Sequence, residues 1–212
     1  MAEVKPPRKL SREARRVQLI EATIEVLAIK GYARVTMSDV ANQAGLSHGL
    51  VNFHFQSKEL LLAETLTYLA DEYVQNWQAA LAAADPDPAE QLQALMRADF
   101  TAALCTPQRL AAWCAFWGEA QSRPLYQEKC GSNNAEYVTK LEVLCAALLG
   151  PNGNAERVAR AIRVTSEGLW MDLVTQTEPY SVDEALATLL EVAAAFFPQA
   201  FTRGIAGGFT GA

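Results

Sequence analysis

Apolar residues recur at helical spacing along almost the whole chain, and period-two alternation is nearly absent, so the pattern predicts an all-α protein. Between Ser11 and Lys30 one stripe contains Val17, Ile20, Ile24, Leu27 and Ala28, and Gly31 supplies the stop. Thr36 caps a short helix over 37–44, Gly45 breaks it, and Ser47 caps a second short helix that reaches about Phe53. Ser57 opens a long helix to about Ala84, and Asp85-Pro86-Asp87-Pro88 breaks the chain. Further helices are predicted over 89–104, from Thr106-Pro107 to Gln121, from Pro124 to Leu149, and over 155–177 and 182–197, nine helices in all. Residues 1–10, rich in Pro and Lys, read as a disordered arm, and 201–212 as a Gly-rich flexible tail. The expected division is a head over 11–56 and a larger helical body over 57–200.

Charge changes this picture. The net charge is −6, which looks wrong for a partner of nucleic acid. Its distribution does not: residues 1–60 hold 9 Lys/Arg against 6 Asp/Glu, a net of +3, and the rest of the chain carries −9. A basic head on an acidic body directs only the head at phosphate. Lys5, Arg8, Lys9, Arg12, Arg15 and Arg16, before and within the start of the first helix, could serve phosphate or the minor groove, or be a solvated tail.

The segment over 36–55, TMSDVANQAGLSHGLVNFHF, has the form of a helix-turn-helix. Val40 and Ala41 face inward, Ala44 lets the helices cross closely, and Gly45 takes a left-handed turn conformation. Leu46 plugs the core, and Val51 and Phe55 anchor the second helix from behind. Ser47, His48, Gly49, Asn52 and Phe53 are left for the major groove. Together with the continuation to Leu61, this segment resembles the DNA-binding domain of TetR-family repressors, matching at Thr36, Val40, Ala41, Ala44, Gly45, Leu46, Ser47, Gly49, Val51, His54, Phe55, Lys58 and Leu61. The resemblance implies a phosphate contact for Lys58. Where the family has a phosphate-binding Tyr this chain has Asn52, which could bind phosphate or read adenine. The candidate DNA-binding residues are Thr36, Ser47, His48, Gly49, Asn52, Phe53, His54 and Lys58.

Residues 112–126, AWCAFWGEAQSRPLY, and 167–171, EGLWM, are similar to the C-terminal domain of the choline-responsive repressors of betaine synthesis. The residues themselves are compatible with that chemistry. Trp113 and Trp117 are four apart, Phe116 flanks them, and another helix offers Trp170 with Glu167 three positions away. A quaternary ammonium cannot donate N–H bonds, so it is held by ring faces and a carboxylate. Trp113, Phe116, Trp117, Tyr126, Glu167 and Trp170 are the candidate ligand residues. The alternatives are a neutral hydrophobic ligand walled by the same rings, or plain core aromatics. Glu119 lies off the Trp117 face and could pair with Arg123.

The resemblance implies a homodimer through the last two long helices, which carry stripes at Val158, Ile162, Thr165, Leu169 and Leu173 and at Leu186, Leu189, Leu190, Ala193, Phe196 and Phe197. It implies a palindromic double-stranded operator and release by a small-molecule effector, with the fourth helix as lever. An enzyme is not expected: the two histidines, His48 and His54, both lie in the DNA-binding segment, and no nucleophile or metal motif occurs. Cys105, Cys114, Cys130 and Cys145 show no C-x-x-C pair and read as reduced, buried thiols. No cofactor or metal is expected. With no signal peptide and no apolar run long enough for a bilayer, the expected location is cytoplasmic, without a membrane partner.

Overall fold

A computed structural model describes residues 11–120, 124–151 and 153–201, and within its helices leaves aside the side chains of residues 119, 120, 125, 126, 129, 132 and 133. Among the described residues the regular elements are all helices: α1 (Arg12–Lys30), α2 (Met37–Ala44), α3 (His48–Phe55), α4 (Lys58–Ala83), α5 (Pro88–Asp99), α6 (Pro107–Ala120), α7 (Pro124–Leu149), α8 (Ala155–Thr175), α9 (Val182–Phe196) and α10 (Pro198–Phe201), with one 3₁₀ turn at Tyr32–Arg34. Most starts are fixed by a side-chain oxygen that accepts from an otherwise unpaired amide of the first turn. Ser11, Ser47, Ser57 and Ser181 do so for α1, α3, α4 and α9, Asp87 for α5 and Asn154 for α8. Thr36 and Asp39 form a reciprocal capping box at α2.

Three boundaries differ from the sequence pattern. The helix expected to reach Leu104 ends at Asp99, because the Asp99 carbonyl accepts from Trp170 Nε1 (2.9 Å) and Cys105 Sγ (3.3 Å). Phe100 and Leu104 are both buried, so the apolar spacing continued through a segment that is a turn. The 3₁₀ turn at Tyr32–Arg34 follows Gly31 and is closed by Arg34 Nε donating to the Lys30 carbonyl (2.9 Å). Finally, residue 201 does not belong to a tail: Phe201 is buried in α10 with its ring 6.2 Å from that of Phe197. The other residues of the expected tail, and the arm over 1–10, lie outside the described residues.

The core runs unbroken from end to end. In the head, Leu19, Ile20, Ile24 and Leu27 of α1 are buried with Val40 and Ala41 of α2, Val51 and Phe55 of α3, and Leu61, Leu62 and Leu66 of α4. Burying each such leucine or isoleucine contributes about 1.5–3 kcal/mol. Val17 and Ala28 of the expected α1 stripe are only half-buried, whereas Leu19 and Val26 are buried, so α1 is covered on two sides. The reason is that α1 packs on α6 of the body as well as on α2 and α4. α4 continues from the head into the body, where Leu69, Ala70 and Trp77 are buried and it packs on α5 and α7. α8 lies against α6, α7 and α9.

Candidate functional site

Two places in the molecule bring chemistry-bearing side chains together. The first is the exposed side of the head. Gly45, with φ 66° and ψ 34°, turns the chain between α2 and α3 in a conformation that glycine adopts without strain. Val51 and Phe55 hold α3 from behind, and His48, Gly49, Asn52 and Phe53 face outward, Phe53 with 66 % of its surface open. Asn52 Nδ2 donates to His48 Nδ1 (3.1 Å), so these two neighbours on one face act as a pair. The Arg12 guanidinium lies 5.8 Å from the Phe53 ring centroid, putting α1 charge beside the exposed end of α3. Ser47 Oγ accepts from the Leu50 amide, and Thr36 is engaged with Asp39. Hydrogen bonding to Lys30 holds the Asp39 carboxyl below its usual range. Lys58 Nζ donates to the Ala33 carbonyl (2.9 Å), a partner outside the first turn of α4.

His54 departs from the expectation. Its side chain is 7 % exposed and points into the head beneath Arg16, whose guanidinium donates to the His54 carbonyl (3.0 Å) and sits over the Phe55 ring. Burial, then the charges of Arg12, Arg16 and Arg15, push this imidazole below its usual value. It is placed as a buried head residue, its ring packed against those of Phe53 and Phe55 and its Nδ1 without a hydrogen-bond partner among the described residues, not as an outward reader.

The second place is a cavity of about 80 Å³ within the body, bounded by α4, α5, α6, α7 and α8. Trp113 and Trp117 of α6 and Trp170 of α8 line it, together with Tyr73 of α4 and Tyr137 of α7. The ring planes of Trp117 and Trp170 are within 12° of parallel at a centroid distance of 6.1 Å, and Trp113 lies 6.1 Å from Trp117. Tyr73 stands edge-on to Trp170 at 5.9 Å and to Trp113 at 6.5 Å. Among these rings lies Asp99, the last residue of α5, with 3 % of its surface exposed. Its Oδ1 accepts from Tyr73 Oη (2.9 Å), and its Oδ2 from Tyr137 Oη (3.0 Å) and Ser166 Oγ (2.7 Å). Every one of these donors is a neutral hydroxyl. Burial pushes the Asp99 carboxyl up to about 6, against the pull of the three hydrogen bonds.

The sequence-derived ligand set is therefore revised. Trp113, Trp117, Trp170 and Glu167 line the cavity. Glu167 is half-buried and its Oε1 takes a 2.6 Å ion pair from Arg163, one turn earlier on α8. Phe116 does not line it. It turns away from the cavity and meets Tyr32, at the end of the head, edge-on at 5.7 Å. The side chains of Tyr126 and Glu119, and the whole of Arg123, lie outside the described residues. Asp99, Tyr73, Tyr137 and Ser166 escaped sequence reasoning because they are scattered over four helices with no mutual spacing to reveal them.

The two places are physically joined. Arg109, on α6 one turn before Trp113, donates to Glu21 of α1 (2.9 Å) and to Glu72 of α4 (2.8 Å). Tyr68 of α4 donates to the same Glu21 (2.9 Å). α6 thus carries the cavity tryptophans and, alongside them, its attachments to α1, α4 and the 3₁₀ turn.

Known proteins share both the sequence and the fold. Residues 19–65 match the bacterial regulatory proteins of the tetR family, and residues 88–198 match the BetI-type transcriptional repressor C-terminal family. The HTH-type transcriptional regulator BetI of Rhizobium meliloti (strain 1021) is 33 % identical over 180 residues, covering 82 % of this chain and 84 % of its own. A crystal structure of a transcriptional regulator from Pseudomonas aeruginosa PAO1 superposes with a TM-score of 0.75 at 26 % identity, over 92 % of this chain and 96 % of the other. The crystal structure of a transcriptional regulator from Saccharomonospora viridis in complex with choline does so with a TM-score of 0.72 at 21 % identity, over 84 % and 95 %. Among the described residues, no helix is long and apolar enough to cross a membrane, and no three His, Cys, Asp or Glu side chains gather as a metal site.

Proposed function

The chain belongs to the TetR family of transcriptional regulators, in its BetI-like branch, and we propose that it is a dimeric repressor whose paired α3 helices read a palindromic operator and which a quaternary ammonium such as choline releases. The observation that carries the effector class is the cavity wall: three tryptophans and two tyrosines around a buried carboxylate whose hydrogen-bond donors are all neutral. An alkylated ammonium offers no N–H, so ring quadrupoles and one anion are what can hold it. Each desolvated cation–π contact contributes on the order of 2 kcal/mol. A neutral ligand would fill the rings without offering the Asp99 carboxylate a charge. The Saccharomonospora viridis regulator, which has the same fold, was crystallised with choline.

On the DNA side, the exposed set His48, Asn52 and Phe53 is suited to base edges, with Phe53 offering an apolar face to a thymine methyl. Gly49 keeps the backbone between them open, while Ser47, at the amino end of α3, and Lys58 are suited to phosphate. Thr36 contributes through the capping box that positions α2. Two copies are required for two half-sites. The surface of α8 that its own core leaves open, Val164, Gly168 and Met171, is the face we assign to the partner subunit, with α9 beside it.

The switch then runs through two helices. α4 connects head to body, and α6 touches the effector through Trp113 and Trp117 and the head through Arg109 and Phe116. An effector that prefers one setting of α6 changes the spacing of the two heads by its differential affinity alone, typically about 1–3 kcal/mol. Operator binding measured by gel shift with and without choline, in the wild type and in Trp117→Ala, tests the reading. Choline should weaken wild-type binding and leave the variant's unchanged. Release by neutral apolar compounds but by no quaternary ammonium would replace the cation with a neutral effector.

A further inference from the structure

We infer that Asp99 is the effector's counter-ion and that a proton and the effector's cationic head compete for it, so that under acidic conditions, where Asp99 is protonated, cation binding displaces that proton. This rests on the cation reading above and adds to it the means by which the site tolerates being empty.

A carboxylate at the centre of a core has two ways to exist: ionised with a compensating charge, or neutral with a proton. Among the described residues, the groups around Asp99 supply no compensating charge. α4 contributes the Tyr73 hydroxyl, α7 the Tyr137 hydroxyl and α8 the Ser166 hydroxyl. The Cys105 thiol beyond α5 donates to the Asp99 carbonyl, and α6 presents only the indoles of Trp113 and Trp117. Arg163 and Glu167 of α8 also line the cavity, but they are paired with each other, and Glu167 adds repulsion at Asp99. The phenols of Tyr73 and Tyr137 are pushed well above their usual range by burial and by Asp99 itself, so they stay donors and cannot become the proton's alternative home.

The hydrogen bonding also says where the proton goes. Oδ2 accepts two hydrogen bonds, whereas Oδ1 accepts one, from Tyr73, and keeps a lone pair free. Oδ1 is therefore the atom that takes up the proton and, when the proton leaves, faces the bound cation with its charge. Burial pushes the Asp99 carboxyl up to about 6. A permanent positive charge among the rings lowers that value, and reciprocally ionised Asp99 raises the cation's affinity.

Direct binding of choline to the full-length protein, by isothermal titration from pH 5 to pH 8, reads this out, with dimethylbutanol as the neutral analogue in which carbon replaces the quaternary nitrogen. The choline Kd should rise about tenfold between pH 7 and pH 5. Near pH 6 about half a proton should be released per choline, seen as a heat that depends on the buffer's ionisation enthalpy. Dimethylbutanol should show neither effect, and Asp99→Asn should bind choline more weakly with a flat pH profile. Choline that binds equally at pH 5 and pH 7 without proton release overturns the exchange while leaving the cation reading intact. The same loss for both compounds also overturns it, because it places the titration elsewhere. Failure of choline to bind at any pH overturns the cation reading itself.

Discussion

Phe116 and Tyr32 meet edge-on with ring centroids 5.7 Å apart, and this contact joins the helix that lines the cavity to the turn that closes α1. Phe116 directly precedes Trp117 in the chain, so a rotation of α6 that reseats the tryptophans must also move Phe116 against the head. Phe116→Leu keeps the site apolar but removes the ring edge. It should leave choline affinity within about twofold while cutting most of the difference between operator affinities with and without choline, a difference expected to be about 5- to 150-fold in the wild type. The check is a pair of operator titrations alongside a calorimetric choline titration. An unchanged ratio would remove this contact from the switch.

Arg109 makes the second connection. One guanidinium holds two carboxylates, Glu21 and Glu72, from different helices. Arg109→Gln leaves those two acids facing each other without their shared cation. Breaking a buried pair by removing one partner costs about 3–5 kcal/mol, and because Glu21 and Glu72 are in part open to solvent the expected loss here is nearer 1–3 kcal/mol. Chemical denaturation gives this number directly. A double substitution with Glu21→Gln should recover part of the loss, since it removes the repulsion between the two acids.

The helices and the reading head were legible in the sequence because their signals are local. Thr36, Ser47 and Ser57 announce helix starts within three residues, and Gly45 marks the one sharp turn. The cavity was legible only where two of its residues share a helix, as Trp113 and Trp117 do. Asp99 gave no signal: its partners Tyr73, Tyr137 and Ser166 lie 26, 38 and 67 residues away. Phe116 misled for a related reason. A residue three after Trp113 and one before Trp117 can fall on either side of a helix that is buried on both, and the packing of α1 on α6 decides. His54 fitted the TetR-family motif, but the motif does not say whether the residue faces the groove or the core.

The burial of His54 has a titration signature. The protein has two histidines, and both can be followed by NMR. His54 should titrate below 6.5. A depressed imidazole value means that the unfolded chain binds more protons, so the stability it contributes is complete above 6.5 and declines as pH falls through the lowered value. A His54 resonance that titrates at or above 6.5 would mean the ring is open to water or to DNA.

The operator contacts separate by salt and by sequence. Lys58→Ala should weaken binding alike for all operator variants. It should also reduce the slope of log affinity against log salt by about 0.9 for each phosphate that the protein no longer neutralises. His48→Ala and Phe53→Ala should instead change which bases are preferred, by about 1–3 kcal/mol at single positions. Asn52→Ala decides the role of the residue that stands where the family has tyrosine. A uniform loss of affinity assigns it to phosphate, and a changed preference assigns it to a base. The His48 result must be read with it, because the Asn52 amide is hydrogen-bonded to that ring.

Gly168 offers the cleanest test of the dimer face. It lies inside α8, where glycine costs about 1 kcal/mol relative to alanine. Nothing within the protomer explains it: a Cβ built there meets no atom within 4 Å, and the helix around it is regular. Val164 and Met171, four before and three after it, share its open side and are each about half exposed despite being apolar. A small residue between two apolar ones on an unpartnered helix is what close approach of a second helix requires. Gly168→Leu therefore adds a side chain that the protomer can accommodate and the assembly cannot. The variant should keep its helical circular dichroism and its choline affinity, while its dimer dissociation constant rises at least about tenfold in light scattering or sedimentation. Operator affinity should fall further, by about 10²–10⁴, because a lone head loses the effective concentration that the second half-site provides. A variant that remains dimeric would move the partner subunit to another face of the body.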